Sequence, residues 1–299
     1  MNNNRYLKKI NYIPSSKIKE KLKNLNLNGY CVIKSNKKFW RWLNSSPVQI
    51  RKITDKILKT EGLQAGSEGK EKFTVKRNKF LEPGANRLSN LANKHNVFIR
   101  MTTFPDFIYI AKQIIKKEFK ISTVEFREPK KNNKPQPLHI DWYPRKTKSE
   151  NCKMILIFVY LDNSNSKNGA TQLVPKSHLK TNYPEKYGNV YKKFKNEKVV
   201  SVKKGDILIL NSNIWHRGGS NISGKKRGLI NIEYRARSLD QMLNLKKYIS
   251  NKTKKKLNEY EKYLFAIRKE DRTQKSDATG PGDRLRKWLK KNPQYSYTT

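Results

Sequence analysis

Two short stretches limit what this chain can fold into: PLHIDWY at 137–143 and, far downstream, NSNIWHRGGSN at 211–221. His139 and Asp141 stand two apart, so on a β-strand both point to the same face of a sheet. His216 is too distant to share that strand, and gathering all three demands a fold that lays remote strands side by side. Two imidazoles and one carboxylate form the facial set that holds non-haem Fe(II) with open positions. Zn²⁺ accepts the same ligands, so these residues by themselves leave the metal open.

The motifs do not stand alone. NGATQLVPKSH follows at 168–178, KKGDILILNSNIWHRGGSN spans 203–221, and KKRGLINIEYR carries Arg227. In this order and spacing the four stretches resemble the phytanoyl-CoA dioxygenase family of iron(II)/2-oxoglutarate oxygenases. Linked motifs of this kind are far more specific than one HxD triplet. The resemblance implies a mainly β fold with flanking helices around a double-stranded β-helix, the cupin-like jelly roll. It implies Fe(II) on His139, Asp141 and His216, with 2-oxoglutarate as cosubstrate and O₂ as oxidant. Arg227 matches the family's cosubstrate arginine, and a guanidinium suits a dicarboxylate's far end because it donates bidentately. Thr171 and Phe158 fall where the family's barrel lines its pocket, Thr171 on the cosubstrate side. Related halogenases replace the carboxylate ligand by a small residue; this chain keeps Asp141, which points to hydroxylation of a C–H bond with release of succinate and CO₂.

Strand alternation extends the candidate site. With Arg227 facing inward, Leu229, Asn231 and Glu233 face inward as well, while Ile230, Ile232 and Tyr234 pack outside. Asn231 and Glu233 are therefore candidates for substrate contact, and Tyr143 shares the face of His139 and Asp141. His95 reads as a loop residue and His178 as part of a structural turn, in which Lys176 stands where the family often has Gly.

A chain of 299 residues can bury a large core, and its five Trp, eleven Phe and fifteen Tyr argue against disorder despite a hydrophobic fraction of 35%. The formal charge of +43 suggests two partners, a nucleic acid or anionic polymer bound by a catalytically silent barrel, or an anionic small molecule. Basic residues are spread along the whole chain and Lys far outnumbers Arg, which favours a compositional origin. A third reading, a metal-binding cupin without oxygenase chemistry, has no need of Arg227. Cys31 and Cys152 form no zinc or redox pattern, no signal peptide is legible, and no run is long enough to span a bilayer; a cytoplasmic setting is the expectation.

Along the chain, residues 1–120 read as a helical scaffold, 121–237 as the catalytic jelly roll, and 238–299 as a helix with a basic tail, one integrated unit over 1–270. Ser15 or Ser16 caps a first helix ended by Asn28-Gly29, Tyr30–Ile33 is a short strand, and Ile50, Ile53 and Ile57 mark a helix after Pro47. The glycines between Glu61 and Lys72 suggest a loop, and 86–96 a weak helix. Phe107, Ile110, Ala111, Ile114 and Ile115 predict another helix before the period changes to that of strands. Leu138–Tyr143 is expected to be the metal-bearing strand, and 181–196 an insertion over the barrel mouth. Leu257, Tyr260, Leu264 and Ile267 predict one helical face, closed by GPGD, with Arg284–Lys291 as a short basic turn.

Overall fold

The computed structural model describes residues 2–34, 36–62, 64–65, 84–275, 278 and 281–296. Its N-terminal helices begin where short polar side chains can accept from the first free amides. Ser15 caps Ser16–Asn28 through Ile18 N, Ser46 caps Pro47–Glu61 through Gln49 N, and Asn36 caps Lys37–Leu43 through Phe39 N. The helix Pro105–Ile115 buries Phe107, Ile108, Ile110, Ala111, Ile114 and Ile115, and is the main support of the sheet below it.

Among the described residues ten strands follow one another as β1 Tyr30–Ile33, β2 Gln64–Ala65, β3 Ala85–Leu88, β4 Phe119–Pro129, β5 Met154–Tyr160, β6 Thr171–Val174, β7 Lys198–Val199, β8 Ile207–Asn211, β9 Trp215–Gly218 and β10 Leu229–Ala236. The larger sheet runs β1-β8-β5-β10-β4-β3-β2 and is antiparallel apart from the β2–β3 pair; the smaller runs β7-β6-β9. The order is non-sequential, as a jelly roll requires: β5 lies between β8 and β10, and β10 between β5 and β4.

Alternation along the strands separates two cores. Ile155, Ile157 and Val159 of β5 join Ile207 and Ile209 of β8 and Ile230, Ile232 and Tyr234 of β10 in the layer shared with the helices. Met154, Leu156 and Tyr160, with Leu208, Leu210 and Leu229, turn to the other face and meet Leu173 from the smaller sheet and Ile214 just ahead of β9. The strand β5 is thus apolar on both faces, which explains its unbroken hydrophobic run. Inside this second layer is the barrel interior, and its β10 positions are those predicted to face inward.

Several expectations differ from the structure. Residues 86–96 are not a helix: Ala85–Leu88 pairs with β4 as a strand, a 3₁₀ turn covers Leu91–Asn93, and the helix begins at Asn96 and ends at Thr102, capped by His95. The metal-bearing segment is not a full strand, since His139 makes one isolated bridge to His216. The helical face of Leu257, Tyr260, Leu264 and Ile267 is broken into Asn251–Lys256 and Glu259–Leu264, because Asn258 starts a new helix with a capping box. Ile267 lies beyond that second helix. Arg284 and its neighbours form a helix, Pro281–Lys291, rather than a turn. Most of the loop expected between Glu61 and Lys72, and Thr279–Gly280 of the GPGD segment, lie outside the described residues. Among the described residues no helix is long and apolar enough to cross a membrane.

Candidate metal centre

The site is assembled by backbone pairing. His139 N donates to His216 O at 3.0 Å, His216 N donates back to His139 O at 2.9 Å, and Asp141 N donates to Ser212 O at 2.9 Å. This pairing sets the HID segment against the edge of β9, so that its histidine and aspartate turn toward the same point as His216. Asp141 Oδ2 stands 3.3 Å from His216 Nε2 and Asp141 Oδ1 stands 3.6 Å from His139 Nε2. One donor atom from each of the three residues lies within 4.8 Å of the others, the one such grouping of metal-ligating side chains among the described residues.

Both imidazoles are oriented by the same device. His139 Nδ1 donates to Pro137 O at 2.9 Å and His216 Nδ1 to Ile214 O at 3.0 Å, each to the carbonyl two residues upstream. With the proton held on Nδ1, the Nε2 lone pair of each ring is directed at Asp141, the tautomer that a metal ligand needs. Electrostatics agree with this donor set. Burial, then the neighbouring His216, pushes the His139 pKa down to about 4, so that ring is neutral near pH 7. Burial opposes ionisation of Asp141, but the adjacent His216 and His139 outweigh it and hold the carboxyl well below the usual carboxylate range. His216 moves the other way: burial lowers it, and the Asp141 carboxylate more than compensates. The residues fit a divalent cation, an ionised carboxylate flanked by two Nε2 donors.

Arg227 is buried just ahead of β10, and its Nη2 donates to Gly169 O. Thr171, at the start of β6, meets the Tyr160 hydroxyl at 2.9 Å, and Arg227 acts electrostatically on that same tyrosine. Arg227, Thr171 and Tyr160 therefore form one polar corner of the barrel. Phe158 packs on the inner cluster together with Trp142. Asn231 lies opposite Phe158 across the β5–β10 ladder, and its Oδ1 is buried with no hydrogen-bond partner among the described residues. Glu233 is 2.5 Å from Arg235 and almost fully buried, which makes it an ion-pair partner first. Tyr143 is 45% exposed at the rim, where Asn213 Nδ2 donates to its carbonyl.

Sequence reasoning missed three arginines here. The alternation that begins at Arg227 reaches Arg235 after Glu233, and one further step along the same face would have included it. Arg127 shares a ladder position with Leu229; it donates to Gln136 Oε1 at 3.1 Å, and its charge acts on both histidines. Arg284 comes from the Pro281–Lys291 helix and donates to Asp141 O, a contact that no local pattern announces.

The 181–196 segment covers the histidine-bearing edge. Tyr183, Val190 and Phe194 pack with Leu138, Ile140 and Trp215, and the same cluster takes Leu285 and Trp288 from the C-terminal helix. Arg217 anchors the cover, pairing with Glu197 at 2.7 Å and donating to Val190 O and Lys192 O. His178 is elsewhere, its Nε2 donating to Asn26 O. A cavity of about 880 Å³ lined by Tyr6, Trp42, His95, Arg100 and Tyr260 lies between the helices and includes none of the metal-centre residues.

Residues 25–229 match the sequence profile described as phytanoyl-CoA dioxygenase. Among solved structures the chain is similar to HygX from Streptomyces hygroscopicus with nickel and 2-oxoglutarate bound, at 15% identity, a TM-score of 0.53, and coverage of 74% of this chain and 88% of that one. It is also similar to SnoN, an alpha ketoglutarate dependent epimerase from nogalamycin biosynthesis, at 14% identity and a TM-score of 0.52 over 74% of this chain and 83% of that one. The carbocyclase SnoK, from the same biosynthesis, gives 15% identity and 0.53 over 73% and 84%. At these identities the likeness establishes the jelly-roll fold. No curated protein matches the sequence.

Proposed function

Since this chain belongs to the phytanoyl-CoA dioxygenase family, we propose that it is an iron(II)- and 2-oxoglutarate-dependent oxygenase that hydroxylates a C–H bond of a small molecule. The observation that carries this reading is the convergence of His139, Asp141 and His216, with both Nδ1 protons tied to backbone carbonyls and both Nε2 atoms turned to the carboxylate.

His139, Asp141 and His216 would hold the metal. Iron(II) bound there supplies the oxidation of 2-oxoglutarate to succinate and CO₂ by O₂, coupled to hydroxylation of the substrate. Arg227 binds the distal carboxylate of the cosubstrate, and its contact with Gly169 O fixes the guanidinium plane so that little side-chain freedom is lost on binding. Thr171 and Tyr160 border that carboxylate with hydroxyl donors. Phe158 and Trp142 give the substrate an apolar wall, and Asn231 offers it an amide oxygen. The 181–196 cover keeps bulk water from the histidine edge.

Anaerobic titration of the metal-free protein with Fe(II) and 2-oxoglutarate tests the reading. A visible charge-transfer band that is absent in His216→Ala and in Arg227→Ala supports it. Folded, iron-loaded wild-type protein without the band overturns it.

A further inference from the structure

Helices from both ends of the chain line the cavity of about 880 Å³ that lies apart from the metal centre. Asn3–Lys9 gives Tyr6, Lys37–Leu43 gives Trp42, Pro47–Glu61 gives Lys52 and Ile53, Asn96–Thr102 gives Arg100, and Glu259–Leu264 gives Tyr260. Its size falls within the roughly 300–1,000 Å³ of small-molecule sites.

The polar atoms of its aromatic residues are already engaged. Tyr6 Oη donates to Thr103 O at 2.8 Å, Tyr260 Oη to Asn3 Oδ1 at 3.0 Å, and Trp42 Nε1 to Arg100 O at 3.1 Å. What these side chains offer a guest is therefore ring surface, and Leu43, Ile53 and Leu257 add aliphatic surface. Charge is distributed differently. Lys52, Arg100 and Lys256 are exposed lining residues from three separate helices, and none of them forms an ion pair among the described residues. The Arg100 guanidinium lies 5.9 Å from the Trp42 ring centroid, which places one cation against the apolar wall. Glu261 is the one carboxylate in the lining; its Oε2 accepts from Asn258 N, and burial raises its pKa. Three cations against one carboxylate leave the lining positive.

We propose that this cavity is a second small-molecule site, which takes an organic anion with an apolar body. The rings and aliphatic side chains cover the body, and Arg100 with Lys52 and Lys256 receives the anionic group. None of His139, Asp141 and His216 lines the cavity, so its occupant is not the molecule that reacts at the metal centre. The site is independent of the chemistry performed there.

Fluorescence titration of the full-length folded protein tests this with two probes, anilinonaphthalene sulfonate and its neutral counterpart N-phenylnaphthylamine, which has the same rings without the sulfonate. Saturable binding of the sulfonate, about tenfold tighter than that of the neutral probe, is expected, and the preference should disappear in K52Q/R100Q/K256Q. Ser45→Trp, which adds bulk to the lining, should weaken both probes. No saturable binding in wild type, equal affinity for the two probes, or a preference that survives in the triple variant overturns the proposal. Sulfonate binding unchanged in a folded Ser45→Trp protein places the probe elsewhere and overturns it as well. The three cations are exposed, so the triple variant decides alone should Ser45→Trp fail to fold.

Discussion

His139 and His216 are joined through their backbones, each amide donating to the other's carbonyl, with ring centroids 4.5 Å apart. Main-chain pairing rather than the side chains themselves therefore holds the centre together. Replacing either imidazole should remove a ligand without moving the scaffold. His139→Ala and His216→Ala are expected to weaken Fe(II) binding by more than about 100-fold, beyond the loss typical of groups behind the ligands. Metal titration beside a melting curve checks this: near-wild-type metal affinity in either variant would contradict the ligand assignment.

Arg227 is expected to govern the cosubstrate alone. A charge-assisted hydrogen bond contributes about 1.5–3 kcal/mol, so Arg227→Ala should raise the 2-oxoglutarate Kd by roughly 10- to 100-fold. Fe(II) affinity measured without cosubstrate should stay unchanged. Arg227→Lys keeps the charge and loses the fork, and an intermediate Kd is the outcome to look for.

Glu185, buried in the 3₁₀ turn Pro184–Tyr187 of the cover, has its pKa raised by burial from the ordinary 4.5 to about 7. The folded state therefore binds its proton more tightly than the unfolded state does. Stability from this group is full below the unfolded pKa and is lost as pH rises from about 4.5 through 7. By the linkage relation the loss is on the order of 3 kcal/mol. Denaturant midpoints compared at pH 5 and pH 8 for wild type and Glu185→Gln should show a smaller pH difference in the variant.

Two left-handed residues meet where the helix Ser16–Asn28 ends. Gly29 has φ 82° and Lys176 φ 66°, and Lys176 N donates to Asn28 O at 2.9 Å. A Cβ at Gly29 would lie 2.6 Å from His178 Nδ1, so Gly29→Ala should destabilise by about 1–3 kcal/mol. Lys176 already bears the left-handed cost, and Lys176→Gly should stabilise by about 1 kcal/mol. Opposite shifts in denaturant midpoint are the expected result; a destabilised Lys176→Gly would show that its side chain matters more than its φ.

Much of the fold was legible because local rules coincide with burial. The helix after Pro47, the helix from Pro105 to Ile115 and the doubly buried β5 all follow from periodicity. The expected helix at 86–96 failed because pairing with β4 outweighed weak local preference. Likewise Asn258 broke a continuous apolar face, since its side chain and Glu261 together satisfy the ends of a new helix.

The site divides in the same way. Sequence by itself determined which groups share a face: HxD spacing aligns His139 with Asp141, and strand period aligns Arg227, Leu229, Asn231 and Glu233, because side-chain direction on a strand repeats every two residues. Only the tertiary structure decided that Glu233 is taken by Arg235, that Tyr143 lies at the rim, and that Arg284 arrives from the last helix to meet Trp142. Those pairings depend on distances between segments remote in the chain, and they are settled by the packing of whole layers rather than by any local period.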